Sequence, residues 1–126
     1  MVRRIKIKTA SIDGVYAELS EENPRTAEAI WNALPLSGIA NTWGDEIYFS
    51  IPVDFQEENS REVVEMGDLA YWPPGKAFCI FFGKTPVSKA GEIRPASPVN
   101  VFGSVDGDPT VFKRVGSGEE IEIEKA

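Results

Sequence analysis

Glu120-Ile121-Glu122-Ile123-Glu124, near the end of the chain, mirrors Arg4-Ile5-Lys6-Ile7-Lys8 near its start. In both stretches charged and apolar residues alternate strictly. A period of two describes a β-strand with one buried face, so each stretch sets two isoleucines on one side and three like charges on the other. The two charged faces have opposite sign. Pairing the two strands would bury four isoleucines together and lay cations beside carboxylates across the ladder, and it would join the two ends of a sheet into a barrel. The ion pairs add little to this, because an exposed pair contributes only about 0–1 kcal/mol.

Between these strands the punctuation is regular. Asp13-Gly14 reads as a hairpin turn, with Val15 to Leu19 as the second strand. A helix is predicted over about 24–34: Asn23 as cap, Pro24 at the first position, Ala27, Ile30, Trp31 and Leu34 at helical spacing, and Pro35 as the stop. Trp31 reads as core for this helix. Gly38 to Pro52 reads as two strands joined near Gly44-Asp45, with Ile47, Phe49 and Ile51 on one face and Glu46, Tyr48 and Ser50 on the other. Residues 54–66 read as a polar connection. A strand ending at Trp72 meets the rigid turn Pro73-Pro74-Gly75-Lys76, and Phe78 to Phe82 returns as a run buried on both faces. An irregular loop over 83–98 leads to a strand over 99–105, a turn at Asp106-Gly107-Asp108, a short helix over about 109–115 and the final strand. About eight strands and two helices in one domain, 1–126, describe a mainly β protein whose sheet closes into a barrel with a helix at each end.

The segment Asn100-Val101-Phe102-Gly103-Ser104-Val105 resembles the Val-Phe-Gly-x-Val ending of cyclophilins, and the order of elements is similar to theirs. Trp43-Gly44-Asp45-Glu46-Ile47-Tyr48-Phe49, Gly67 to Gly75 and Phe81-Phe82-Gly83-Lys84-Thr85-Pro86, in that order, resemble a small prokaryotic cyclophilin-like family of unassigned function. The resemblance covers nearly the whole chain and implies a closed eight-stranded barrel capped by two helices. It also invites peptidyl-prolyl isomerase activity, which the residues argue against. That chemistry uses an arginine on the strand after the first helix to weaken the amide resonance behind a barrier of about 20 kcal/mol. No Lys or Arg occurs between Arg25 and Arg61. The family's histidine and tryptophan before the Val-Phe-Gly strand are replaced by Ser97-Pro98-Val99, and the chain has no histidine.

The absence of histidine also removes Ser-His and Cys-His nucleophile pairs and the commonest transition-metal ligand. Cys79 is the single cysteine and reads as a small buried hydrophobe. Asp106-Gly107-Asp108 lacks the other ligands of a calcium loop and reads as turn and cap. Neither a metal nor a cofactor is expected. The net charge is −7, and the window from Thr26 to Ser60 carries six carboxylates (Glu28, Asp45, Glu46, Asp54, Glu57 and Glu58) with no base. A surface of that sign repels nucleic acid and attracts amines. No run approaches a membrane span, and the opening Met1 to Lys8 lacks an apolar signal core, so a cytoplasmic address is expected.

The candidate site is a groove lined by Trp43, Glu46, Tyr48, Tyr71 and Phe82, an aromatic-walled recess with one ionisable group that would bind a small molecule or short peptide. Arg94, in the 83–98 loop, is a solvated side chain within possible reach of a ligand. Two other readings stand beside this one. The first is an enzyme using Glu46 as acid or base, for which the discriminating property is a Glu46 pKa well above about 4.3. The second is an interaction module, favoured if the aromatics pack inside the barrel. The oligomeric state is left open by the sequence.

Overall fold

The two terminal strands pair as their alternation predicts. In the computed structural model, which describes residues 3–126, β1 (Arg4–Thr9) runs antiparallel to β9 (Glu120–Lys125) with Ile7 opposite Ile123. Met1 and Val2, at the head of the opening stretch, lie outside the described residues. Ile5, Ile7, Ile121 and Ile123 are fully buried, each contributing about 1.5–3 kcal/mol by leaving water. On the outer face Lys8 lies 3.3 Å from Glu124 and 3.7 Å from Glu122, while Arg4 pairs with Glu18 at 3.1 Å and with Asp106 at 2.8 Å.

The other elements are β2 (Ile12–Leu19), α1 (Pro24–Ala33), β3 (Leu36–Ile39), β4 (Asn41–Thr42), β5 (Glu46–Ser50), β6 (Asp68–Trp72), β7 (Ala77–Phe81) and β8 (Asn100–Val105). The nine strands form one sheet in the order β3-β9-β1-β2-β8-β6-β7-β5-β4. Its two outermost strands, β3 and β4, are consecutive in sequence. The segment 36–42 is in effect one bent strand: its first arm bonds β9, its second arm bonds β5, and Ala40 at the bend donates to Glu119 O and accepts from Gly118 N, each at 2.8 Å. The barrel is thereby nearly closed. The expected eight strands become nine because this seam strand breaks where it changes partner.

Three local expectations need correction. The first turn falls at Ala10-Ser11, because Thr9 pairs with Ile12; Asp13 and Gly14 instead sit opposite Lys8 as a bulge within β2. Asn23 does not cap α1 with its side chain. It is fully buried, donating to Val101 O at 2.8 Å and accepting from Asn59 N at 2.6 Å. The cap comes from the long connection: Glu58 accepts from the backbone N–H groups of Arg25 (3.3 Å) and Thr26 (3.1 Å) and from the Thr26 hydroxyl (3.0 Å). The short second helix is present as expected, a 3₁₀ helix over Pro109–Arg114 started by Asp108, which accepts from Thr110 N. Trp31 is only half-buried; Arg3 and Lys125 lie over its ring, 5.4 and 4.7 Å from the centroid.

Two apolar clusters result. The larger fills the barrel and includes Phe49, Phe78 and Phe102, stacked or edge-on at 5.4 and 5.2 Å. The smaller lies on the outer face of β5, β6, β7 and β8, where Ala70, Ala77, Cys79, Phe81 and Val101 are covered by Val64, Ile93 and Val99 from the connections. β7 is buried throughout because it is apolar on both faces, as the sequence predicts. No helix among the described residues is long and apolar enough to cross a membrane.

Candidate functional site

The outer cluster has an opening at one end, and the site is built there. Trp43 and Glu46 flank the two-residue turn Gly44-Asp45 and exchange backbone hydrogen bonds of 2.9 and 3.2 Å. Residues opposed in this way share a face, and Tyr48, two positions on from Glu46, shares it too. Gly44 has φ +60°, and a Cβ there would stand 2.8 Å from Lys84 O, so a side chain would push the turn off its neighbour. Asp45 clamps the turn to the next loop: its N–H donates to Lys84 O at 2.8 Å, and its carbonyl accepts from Phe82 N at 2.9 Å.

That loop, residues 83–98, is irregular but internally tied. Thr85 donates through its hydroxyl to Arg94 O, the Ser88 hydroxyl accepts from Thr85 N and Arg94 N, and Val64 pairs with Ile93. It carries Pro95 and Ala96 over the sheet, and Trp72 anchors it by donating from Nε1 to Ser97 Oγ at 2.7 Å. A cavity of about 160 Å³ remains, lined by Trp43, Glu46, Tyr48, Trp72, Pro95, Ala96 and Val99.

Glu46 is the one ionisable carboxyl in this lining, and it is 6% exposed. Burial among apolar groups pushes its pKa from 4.5 up to about 7, with hydrogen bonding from the neighbouring Cys79 thiol acting in the opposite direction. Among the described residues Glu46 joins no salt bridge. The same burial, reinforced by Glu46, pushes the Cys79 thiol well above its usual range, so Cys79 stays protonated as a packing group.

Of the five residues expected to line the groove, the structure brings three together. Trp43, Glu46 and Tyr48 line the cavity; Tyr71 and Phe82 do not, because they point into the barrel. Tyr71 is fully buried, donating its hydroxyl to Val53 O and accepting from Phe55 N, and Phe82 packs on Phe112 with ring centroids 6.0 Å apart. The period of two on β6 explains the first case: Leu69 and Tyr71 face inward, so Trp72 is the aromatic that faces the cavity. Trp72, Pro95, Ala96 and Val99 complete the lining and are not among the five residues expected from the sequence. The signal for Trp72 was its parity with Ala70 rather than with Leu69.

Nor do the six carboxylates of the acidic window form one surface. Glu58 caps α1, Asp54 lies 3.6 Å from Lys76, and Glu46 is buried at the cavity. Arg94 turns away to Glu92, with its Nε 2.7 Å from the carboxylate.

The comparisons with known proteins agree with this architecture. A family model described as cyclophilin-like matches residues 3–124. The solution structure of a hypothetical protein from Archaeoglobus fulgidus is similar over 99% of this chain and 95% of its own, with 48% sequence identity and a TM-score of 0.84. No curated protein matches the chain. With the family model spanning nearly every described residue, and with a close structural likeness that carries no assigned activity, the chain belongs to the cyclophilin-like family.

Proposed function

We propose that this chain is a binding protein that takes a small molecule, or one side chain of a short peptide, into the cavity at Trp43, Glu46, Tyr48 and Trp72, without efficient prolyl isomerisation. The observation that carries this reading is the lining itself: three aromatic side chains, three apolar residues and one carboxyl, with no guanidinium or imidazole. Aromatic walls with a single polar anchor are the usual make-up of a small-ligand site. The volume suits one ring or one branched alkyl group. Isomerisation calls for a cationic donor at the proline nitrogen, and losing a group worth about 3–4 kcal/mol in the transition state would remove several hundredfold of any acceleration.

Glu46 near pKa 7 favours a second reading, because a carboxyl that is half protonated at neutral pH is suited to general acid–base work. Binding and prolyl isomerisation separate in one NMR experiment. Isotope-labelled protein is titrated with an X-Pro peptide and with a set of small aromatic and alicyclic fragments, following protein shifts for binding and peptide exchange peaks for catalysis. Fragment-induced shifts at Trp43, Tyr48 and Trp72 with no faster cis/trans exchange are expected. Accelerated exchange would overturn the non-isomerase reading, and absence of shifts at the cavity with every probe would overturn binding there.

A further inference from the structure

The cavity presents an imbalance that a ligand would correct. Glu46 is a buried carboxyl with no cationic partner among the described residues, and a buried charge without a countercharge is costly. Its polar neighbour is the Cys79 thiol, a weak donor. The rest of the lining is also informative. Trp43, Tyr48 and Trp72 are aromatic, with quadrupoles that attract cations, and the side chains of Pro95, Ala96 and Val99 are apolar. The Trp72 N–H is already held by Ser97, which fixes that ring. No lysine or arginine lines the cavity to compete for the carboxylate.

Resting on the binding reading above, we propose that the ligand is an organic cation whose alkylated ammonium head enters this cavity, its charge neutralised by Glu46 and its alkyl groups seated on Trp43, Tyr48 and Trp72. Alkylation is part of the inference. A primary ammonium carries three N–H donors in a spread that calls for acceptors on several sides, whereas the cavity side chains offer acceptors only at the Glu46 carboxylate and the Tyr48 hydroxyl, the rest being rings and aliphatic groups. Replacing those donors with methyl groups swaps hydrogen bonds for contacts that aromatic faces supply, and it lowers the cost of leaving water. The protein's net charge of −7 adds long-range attraction for such a cation.

The test uses choline and its neutral carbon isostere, 3,3-dimethylbutan-1-ol, as paired probes of the protein at about pH 8, read by the indole N–H signals. Trp43 and Trp72 report on the cavity, and Trp31, on α1, serves as the control. Choline is expected to shift the Trp43 and Trp72 signals and to bind about tenfold tighter than the isostere, with Trp31 unmoved. Glu46→Gln should cut that preference to the smaller part that the aromatic rings supply, while leaving the isostere's binding in place. Trp43→Leu, at a half-buried position, should weaken choline about fivefold and the isostere less.

A short peptide bearing trimethyl-lysine forms a further arm. Tighter binding than choline assigns a protein-borne head group, and weaker binding a free metabolite; either supports the ammonium assignment. Equal binding of choline and the isostere would overturn the cation while leaving the cavity as an apolar site. Failure of choline, isostere and peptide alike to move Trp43 and Trp72 would overturn the ammonium assignment, and the neutral fragments of the preceding experiment would then decide separately whether the cavity binds at all.

Discussion

Replacing Glu46 with glutamine should change how stability depends on pH more than it changes stability itself. Folding buries the carboxyl and raises its pKa from 4.5 to about 7, so the folded state holds this proton more tightly than the unfolded chain does. The contribution to stability is therefore fully present below about 4.5 and is lost as pH rises through about 7, beyond which the ionised carboxylate destabilises the fold by about 3 kcal/mol. At 6% exposure, little of this is screened by solvent. Glutamine keeps the shape and never ionises. Urea unfolding of both proteins at about pH 5, 6, 7 and 8 gives the difference directly, because other titrating groups such as Asp68 and Glu92 are common to both and cancel. The wild type should lose about 2.5 kcal/mol relative to the variant across that range. A difference constant to within about 0.5 kcal/mol would refute the argument, since Glu46 would then titrate alike folded and unfolded.

Three further outcomes follow from the packing and are read by the same unfolding measurements. Tyr71→Phe should cost about 1–3 kcal/mol, because it strips a partner from both Val53 O and Phe55 N beneath the connection, and it should leave the cavity signals in place. Glu58→Ala should cost about 1–2 kcal/mol by uncapping α1 from across the fold, and amide exchange should quicken at Arg25 and Thr26. Ile123→Ala should cost about 2–5 kcal/mol as a cavity in the barrel core, whereas Lys8→Ala on the opposite face of the same ladder should cost under about 1 kcal/mol.

The parts of the fold that depend on periodicity were legible in the sequence. The mirrored alternation at Ile5, Ile7, Ile121 and Ile123 specified the strand pair between the chain ends, and the proline at each end of α1 placed that helix to within a residue. What escaped reading depends on tertiary partners. Asn23 looks like a cap because asparagine is a good one, yet its side chain is needed to bridge Val101 and Asn59, and a glutamate from a distant connection takes over the helix. Asp13-Gly14 has the composition of a turn, but the isoleucine register leaves only two residues for the loop, so the pair is absorbed as a bulge. In the site, Trp43, Glu46 and Tyr48 follow from one hairpin's geometry. The inward turn of Tyr71 and Phe82 is hidden in the sequence because β6 and the run Ala77 to Phe82 are apolar on both faces, which removes the polarity cue that tells inside from outside. The wall at Pro95 and Ala96 had no periodic signal, being held by hydroxyl and backbone contacts within a loop.

The double burial of β7 also bears on how the chain is made. Ala77 to Phe82 is six uncharged residues without proline or glycine, the kind of segment that adheres to copies of itself when bare. Both of its ladder partners, β5 and β6, precede it, so its edges can be matched as soon as it leaves the ribosome. Its outer face is less fortunate: Ile93 and Val99, which cover it, are synthesised later. During that interval a nascent chain stalled shortly after Phe82 would expose an adhesive surface, and slow decoding over the following loop should raise the insoluble fraction in expression more than the same delay placed after Val101.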